Sequence, residues 1–328
     1  MEIGKVPENV LKRSILNQIK TQRSEVLVGA SVGEDCAMLQ LEPDEVFVMS
    51  TDPITGTTKE IGKWAVIISA NDIASSGAEV IGVMVCALLP PKIREIRIRE
   101  MMEEIQGVCS ELNIQVIGGH TEITDAVNRP VLSITGVGKV KKDKMIKTGG
   151  AKPGDDIVIT KWVGLEGTSI IAKEKEEELL SYFPTHLVKE AQDYDVMLPV
   201  LSEAAIAVKS DVSAMHDVTE GGIFGALWEM AESAGIGLTV DLKQIPIKQA
   251  TVEISNYFDI NPYKLMSSGS MLIATSQGHD LVRDLKAAGI EASVVGKFTD
   301  SNDKIVINGE ETRYLEPPKA DELYSVLA

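Results

Sequence analysis

The sequence predicts a two-domain protein of mixed α and β structure (α+β class), and two observations lead to that prediction. In the first half, apolar β-branched runs alternate with segments of helical periodicity, as expected when strands alternate with helices. A polar, glycine-rich stretch at 141–154 then interrupts the pattern and marks a domain boundary. At 328 residues the chain can form two cores, so we expect one domain at 1–150 and an α+β domain at 151–328.

Apolar spacing and breakers place the elements of the first domain. Apolar residues on one helical stripe predict helices, and runs rich in Val and Ile predict strands. Pro53 is expected to end its strand, because proline cannot donate to a β-ladder. The predicted helices are 10–21, 63–76 and 93–112, and the predicted strands are 46–51, 80–89, 114–117 and 130–140.

The second domain follows by the same criteria. Its predicted strands are 156–160, 237–240, 271–274, 292–295 and 304–307, and its predicted helices are 200–209, 222–234 and one that begins near Thr168. The charged run at 173–178 is expected to be a solvated surface.

Composition excludes several classes of protein. A net charge of −17 and a calculated pI near 4.8 argue against a nucleic-acid binder, which normally carries a basic surface. The apolar stretch 63–89 is interrupted by Asn71, Asp72 and Glu79, so we expect no membrane span. Three scattered cysteines without a C-x-x-C pair, and an amino terminus without the apolar core of a signal peptide, indicate a cytoplasmic protein.

Four acidic residues lie where a scaffold presents functional groups. Each one is next to glycine or small residues at a strand end or a helix start: Asp35, Asp52, Asp72 and Glu122. Taken singly, each could be a turn former or a paired buried acid. Mg²⁺ prefers hard oxygen ligands and shares them with substrate phosphates. The four acids together therefore favour a metal–phosphate site.

Two glycine-rich segments accompany these acids. Gly118-Gly119-His120-Thr121-Glu122 follows a short predicted strand and is interpreted as a loop that could hold phosphate through its N–H groups, or as a plain tight turn. Glu220-Gly221-Gly222 precedes a helix, where it could hold an anion or simply belong to a capped helix start. The chain contains no P-loop motif, no dinucleotide-binding glycine motif and no zinc-ligand spacing, so a P-loop kinase and a Rossmann dehydrogenase are not expected.

With these segments assembled, the chain resembles the aminoimidazole ribonucleotide synthetase (AIR synthase, PurM-like) superfamily over nearly its whole length. The resemblance depends on five motifs in the family's order: Val32-Gly33-Glu34-Asp35-Cys36-Ala37, Ser50-Thr51-Asp52, Asn71–Ala78, Gly118–Glu122 and His216–Gly222.

The resemblance implies a PurM-like fold whose amino-terminal domain forms a β-barrel shared with a second copy in a homodimer. It implies ATP and Mg²⁺ as cofactors and phosphoryl transfer to a small-molecule or protein acceptor. By position it implies metal ligands at Asp35, Asp52, Asp72 and Glu122. It implies ATP or phosphate contacts at Gly33, Thr51, Asn71, Gly118, Gly119, His120, Thr121, Asp217 and Glu220. No catalytic base is identified.

Within the superfamily, the motif wording is most similar to the hydrogenase-maturation protein HypE. That group carries a reactive cysteine at its carboxyl terminus, whereas this chain ends Leu323–Ala328 without one. We therefore expect a HypE-like paralogue that acts on another acceptor. A small-molecule kinase or cyclo-ligase, and a nucleotide-binding scaffold without turnover, remain the alternatives. Cys36 is interpreted as a small packed residue in the acidic turn.

Overall fold

The computed structural model describes residues 3–32, 36–54 and 60–327. The chain divides into two compact units, one of Met1–Ala74 and Ala78–Met145, the other of Ser75–Gly77 and Ile146–Ala328. The division falls inside the polar stretch 141–154. No helix in the described ranges is both long and apolar enough to cross a membrane.

The N-terminal unit is built on one mixed sheet. Its described strands and helices are β1 (Gly4–Lys5), α1 (Glu8–Val10), β2 (Val26–Val28), β3 (Met38–Leu39), β4 (Glu45–Ile54), α2 (Ile61–Ser75), β5 (Glu79–Leu89), α3 (Glu95–Glu111), β6 (Gln115–Ile123) and β7 (Val131–Lys141). The sheet order is β1-β6-β5-β7-β4, in which β5 and β6 run parallel and the other pairs antiparallel. Strands β2 and β3 pair separately.

The two faces of this sheet have different surroundings. Residues alternate between the faces along β4, as they must in a strand. Ser50 and Asp52 point to the face covered by α2, called the helix face here, because Ser50 hydrogen-bonds to Asp72 of α2. Phe47 and Met49 point to the opposite, open face and are 49% and 63% exposed. The sheet therefore carries an acidic group on one face and exposed apolar residues on the other.

The β2–β3 hairpin covers only part of the open face. A small core forms where Val26 and Leu39 pack against Ile81, Ile117 and Val137. Phe47 and Met49 stay outside this cluster, so the open face of β4 is apolar without cover from the described residues.

The C-terminal unit is a larger sheet packed with helices. Its strands and helices are β8 (Asp156–Thr160), α4 (Leu165–Glu174), α5 (Glu176–Tyr182), α6 (Thr185–Gln192), α7 (Leu201–Ala207), β9 (Val212–Asp217), α8 (Gly222–Ala234), β10 (Gly237–Asp241), α9 (Gln249–Tyr257), β11 (Met271–Thr275), α10 (Gly278–Ala287), β12 (Ala292–Thr299), β13 (Lys304–Asn308), β14 (Glu311–Tyr314) and α11 (Glu322–Leu327). The sheet order is β14-β13-β10-β12-β8-β11-β9. Its main core forms between the sheet and α8, where Leu227, Met230 and Phe298 are almost wholly buried.

Most elements with a strong apolar pattern are confirmed. The predicted strands 80–89, 130–140 and 156–160 match β5, β7 and β8, and the predicted helices 63–76 and 222–234 match α2 and α8, within two residues at each end. Helix α2 is buried almost all round, and Ile68, Asp72 and Ser75 form its less buried stripe. A helix that is apolar on every side is expected to lie in a core.

The predicted helix 10–21 is wrong in its form. After α1 the chain makes a π-helical segment, Leu11–Ile15, and a 3₁₀ turn, Leu16–Gln18, before it becomes extended. Side chains of the neighbouring helix hold this segment: Arg13 and Ser14 bind Glu95, and the Lys20 N–H donates to Gln106 Oε1 at 2.9 Å. These tertiary contacts override the regular helical pattern.

Two strands of the N-terminal unit run further than predicted, as does β12, which was predicted as 292–295 and continues to Thr299. Pro53 does not end β4, which continues to Ile54, because β4 is at the edge of the sheet and pairs only with β7. The predicted strand 114–117 continues through 118–122 to Ile123 as β6, paired with β5 along this length. The interpretation of 118–122 as a loop is therefore wrong.

Three smaller expectations also change. Strand β9 was not predicted, and it places His216 and Asp217 at a strand end. The charged run 173–178 is not solvated throughout, since Lys173 forms a largely buried ion pair with Asp195 at 2.6 Å. Cys36 is exposed rather than packed.

Candidate functional site

A pair of carboxylates meets on the helix face of the N-terminal sheet. Asp52, on β4, and Asp72, in the middle of α2, both approach the Ser50 hydroxyl. The Ser50 Oγ–Asp72 Oδ2 distance is 2.5 Å and the Ser50 Oγ–Asp52 Oδ2 distance is 3.2 Å. All three side chains are half-buried. The sequence joins them because β4 and α2 follow one another and pack face to face.

This arrangement suits a hard cation. Two carboxylates that approach the same hydroxyl offer oxygen ligands of the kind that a hard cation prefers. Mg²⁺ is usually bound by one or two protein carboxylates together with water and phosphate oxygens. Across residues 3–32, 36–54 and 60–327, no group of three or more His, Cys, Asp or Glu side chains is placed to hold a metal ion. The described part thus offers a two-carboxylate site.

Glu122, another predicted metal ligand, does not join this pair. Glu122 lies on β6, three strand positions from β4 in the sheet, which is about 14 Å at the usual strand spacing. It also points to the open face, where its Oε2 lies 3.0 Å from His120 Nε2. Asp35 and the predicted phosphate contact Gly33 lie outside the described residues.

Most of the predicted phosphate contacts in the N-terminal unit lie on or beside the open face. A cavity of about 280 Å³ is lined there by Gly118, Gly119 and His120 together with Ser133 and Thr135. The remaining lining residues include both of the accessible cysteines, Cys36 and Cys86, so two thiols share the cavity with the imidazole.

Thr51 reaches the same cavity indirectly. Its hydroxyl lies 3.0 Å from the hydroxyl of Thr135, the residue opposite it on β7. Thr121 follows His120 on β6, so its side chain points to the other face of the sheet. Its carbonyl oxygen accepts a hydrogen bond from the Val6 N–H. Asn71, by contrast, is buried on α2 next to Asp72. The predicted site residues of this unit therefore separate into a metal group on the helix face and a cavity group on the open face.

Asp217, from the His216–Gly222 motif, lies in a cluster of buried acids with Glu166 and Asp321. Asp217 ends β9 and is 6% exposed, Glu166 of α4 is 3% exposed and Asp321 is 3% exposed. Asp321 accepts hydrogen bonds from the backbone N–H groups of Gly221, at 2.7 Å, and Met266, at 3.1 Å. A phosphate group beside these acids would be repelled by several carboxylates. The His216–Gly222 motif could therefore bind phosphate only together with a cation.

Glu166 was not singled out from the sequence, although its pKa is strongly perturbed. Burial raises its pKa to about 7, and the nearby charges of Asp321 and Asp217 act in the same direction, while the Ser268 N–H donates to Glu166 at 3.2 Å and opposes the shift. Burial also raises the pKa of Asp321. Glu220, predicted as a phosphate contact, is exposed at the margin. A glutamate inside an otherwise apolar helix start is a weak sequence signal.

The raised pKa predicts a pH-dependent stability. A carboxyl whose folded pKa exceeds its unfolded value near 4.5 contributes stability that is complete below about pH 4.5 and lost as the pH rises through about 7. Between pH 5.5 and 8.5 we expect the wild type to lose up to about 2 kcal/mol of unfolding free energy through this carboxyl, a loss that Glu166→Gln should remove. Urea unfolding at both pH values measures this. The exposed Glu176→Gln is the control, and an unchanged pH dependence in Glu166→Gln would contradict the expectation.

Comparison with known proteins is consistent with this architecture. The AIR synthase related N-terminal domain family matches residues 33–140, and the AIR synthase related C-terminal domain family matches residues 152–308. A Methanocaldococcus jannaschii protein named for hydrogenase expression/formation is 24% identical, covering 93% of this chain and 91% of its own length. Selenide, water dikinase of Clostridioides difficile is 25% identical, covering 89% and 91%.

The fold is also that of a solved protein. A crystal structure of the hydrogenase maturation protein HypE in complex with ATP superposes with a TM-score of 0.82 and 16% sequence identity, over 98% of this chain and 97% of that one. The PurM-like two-domain fold expected from the motifs is thereby confirmed.

Proposed function

Since the chain belongs to the AIR synthase related family, we propose that it is an enzyme that uses Mg²⁺-bound ATP to phosphorylate an acceptor. The observation that carries the proposal is the carboxylate pair Asp52 and Asp72, held at one hydroxyl on the helix face. Phosphoryl transfer needs positioning and neutralisation of charge more than covalent help from the protein. The names of the selenide, water dikinase and of the ATP-bound HypE support the reaction class.

Asp52 and Asp72 would hold the metal, with Asp35 as the proposed third carboxylate from the preceding segment. Mg²⁺ bound there would neutralise phosphate oxygens and fix their orientation. Ser50 positions both acids, because it hydrogen-bonds to each of them. Asn71 precedes Asp72 on α2 but is buried, and consecutive helical side chains point in different directions, so Asn71 remains only a proposed ATP contact.

The cavity residues on the open face remain proposed nucleotide contacts. A ligand bound at Asp52 and Asp72 would be separated from His120 by the thickness of the sheet. Within one copy of the chain, therefore, the carboxylate pair supports the proposal and the cavity residues do not. Glu122 also points to the open face, so it too remains only a proposed metal ligand.

Calorimetric titration with ATP, with and without Mg²⁺, tests the proposal, followed by a phosphate-release assay with candidate acceptors. We expect ATP binding that requires Mg²⁺, and phosphate release when the correct acceptor is present. Binding without release for every acceptor would support a nucleotide-binding scaffold instead. Absence of Mg²⁺-dependent ATP binding would overturn the proposal.

We also propose that the chain forms a homodimer through the open face of its N-terminal sheet, with a second copy of the chain as the occupant. Phe47 and Met49 expose apolar side chains on the edge strand β4. Leu27 and Met38 of the β2–β3 hairpin are also exposed, by 63% and 55%. Exposed apolar residues in one region of a soluble domain are typical of an interaction surface.

A charge on this surface should separate the copies. We expect Met49→Asp to convert the dimer to a monomer in light scattering, because a buried unpaired carboxylate is costly at an apolar interface. Met145→Asp, at an exposed methionine outside β4, should leave the mass unchanged. A wild-type chain of monomeric mass would contradict the proposal.

A further inference from the structure

A cavity in the C-terminal unit has neither Asp52 nor Asp72 in its lining, and Gly221 is its one lining residue from the His216–Gly222 motif. It has a volume of about 450 Å³, within the range of small-molecule sites. It lies between the first turn of α8, strand β13 and the segment 313–320. The apolar part of its lining consists mainly of Phe224, Leu242, Tyr263, Val306, Leu315 and Pro318.

Two aromatic rings give this cavity a flat wall. Phe224 and Tyr263 stack with ring centroids 5.3 Å apart and an interplanar angle of 13°. The Tyr263 backbone is fixed as well, because its N–H donates to Asn261 Oδ1 at 3.0 Å. Among the described residues the Tyr263 hydroxyl has no hydrogen-bond partner, and burial raises the pKa of Tyr263, so the hydroxyl stays protonated and can donate to a ligand.

The charges that line the cavity are mainly positive, in a chain whose net charge is −17. Arg313 and Lys319 are each paired with a nearby glutamate, at 2.9 and 2.7 Å. The glutamate beside Lys319 is Glu316, the carboxylate of the lining, so Lys319 already neutralises it. Lys264 has no carboxylate within ion-pair distance among the described residues. Lys319 lowers the pKa of Glu316 most, and Lys264 adds to this from beyond ion-pair distance. The three cations of the lining still outnumber its one carboxylate.

The cavity is held open by backbone contacts. The segment 315–320 forms its roof, and Asp321 fastens the roof by accepting the N–H groups of Gly221 and Met266. Gly221 has a φ of +82°, and a side chain there would meet Pro318 at 3.3 Å, so glycine permits the close approach. A fixed roof and a stacked aromatic wall indicate a preformed site, which binds without a large ordering cost.

We propose that this cavity binds a small molecule that carries a planar ring and an anionic group. The ring packs against the Phe224–Tyr263 wall, and the anionic group binds the Lys264 ammonium and the Tyr263 hydroxyl. Apolar walls with a few convergent polar groups are typical of such sites. None of the residues that line this cavity belongs to the carboxylate pair of Asp52 and Asp72.

Calorimetry on the full chain with 1-naphthyl phosphate, 1-naphthol and inorganic phosphate tests the proposal. We expect 1-naphthyl phosphate to bind more tightly than either part alone. Lys264→Gln should weaken its binding about tenfold, because a charge-assisted contact is lost, and should leave 1-naphthol binding unchanged. Tyr263→Ala should weaken both aromatic probes.

The controls separate this site from other surfaces. Lys209→Gln removes an exposed lysine of the same unit and should change nothing, and Asp72→Asn should leave 1-naphthyl phosphate binding intact even though it disturbs the proposed ATP site. Lys264→Gln keeps the test valid if Tyr263→Ala fails to fold. The proposal is overturned if wild-type protein gives no heat with millimolar 1-naphthyl phosphate, or if Lys264→Gln and Lys209→Gln behave alike.

Discussion

The Asp72→Asn variant is expected to bind ATP about 100-fold more weakly than the wild type in the presence of Mg²⁺, because a charged metal ligand becomes a neutral amide. The substitution keeps the size of the side chain and an oxygen that can accept from Ser50 Oγ, which lies 2.5 Å from Asp72 Oδ2. The fold should therefore be retained. Calorimetric titration with Mg²⁺ and ATP measures the affinity, and thermal unfolding checks the fold.

Two comparisons make this result specific. Asp125→Asn removes an exposed carboxylate of the same unit, outside β4 and α2, and should leave the affinity unchanged. Without Mg²⁺, wild type and Asp72→Asn should bind ATP equally weakly, because the carboxylate then has no metal to hold. Equal Mg²⁺-dependent affinities in the two proteins would mean that Asp72 has a structural role only.

The elements that could be predicted from the sequence are those in which the pattern of apolar residues directly indicates which residues are buried. Strand β5 and helix α2 are apolar along most of their length, and their bounds follow from that pattern and from Pro90. The segment 10–21 has an equally regular stripe, yet Glu95 and Gln106 reshape it. Those partners lie more than 80 residues away, which a local pattern cannot show.

The candidate site shows the same limit. The structure brings the predicted residues Asp52 and Asp72 to one hydroxyl, because the consecutive elements that carry them pack together. Strand alternation implies that Thr51 and Asp52 point to opposite faces of the sheet, but the sequence could not show which of these faces α2 covers. Nor could it identify Glu166, whose burial and acidic neighbours come from segments 50 and more residues away. Motif order predicts the fold better than it predicts which side chains meet.

The substitution Gly119→Ala is expected to lower the unfolding free energy by about 3 kcal/mol, as overpacking and backbone strain add together. Gly119 has a φ of +149°, which side-chain-bearing residues rarely adopt. A β-carbon there would lie 2.1 Å from the carbonyl oxygen of Val85, on the neighbouring strand β5. That oxygen belongs to the backbone and cannot rotate away. Denaturation with urea measures the loss.

The adjacent glycine provides the matched control. In Gly118→Ala the new carbon would meet only the end of the flexible Met84 side chain, at 3.6 Å, and no positive φ is involved. We expect it to change the unfolding free energy by less than about 1 kcal/mol in either direction, because alanine is intrinsically favoured over glycine inside a strand and meets no clash here. Equal losses for the two variants would contradict the strand geometry of 118–122. A large loss at Gly119 alone would mean that this glycine pair is needed for close packing of β6 on β5, whatever ligand the cavity beside it binds.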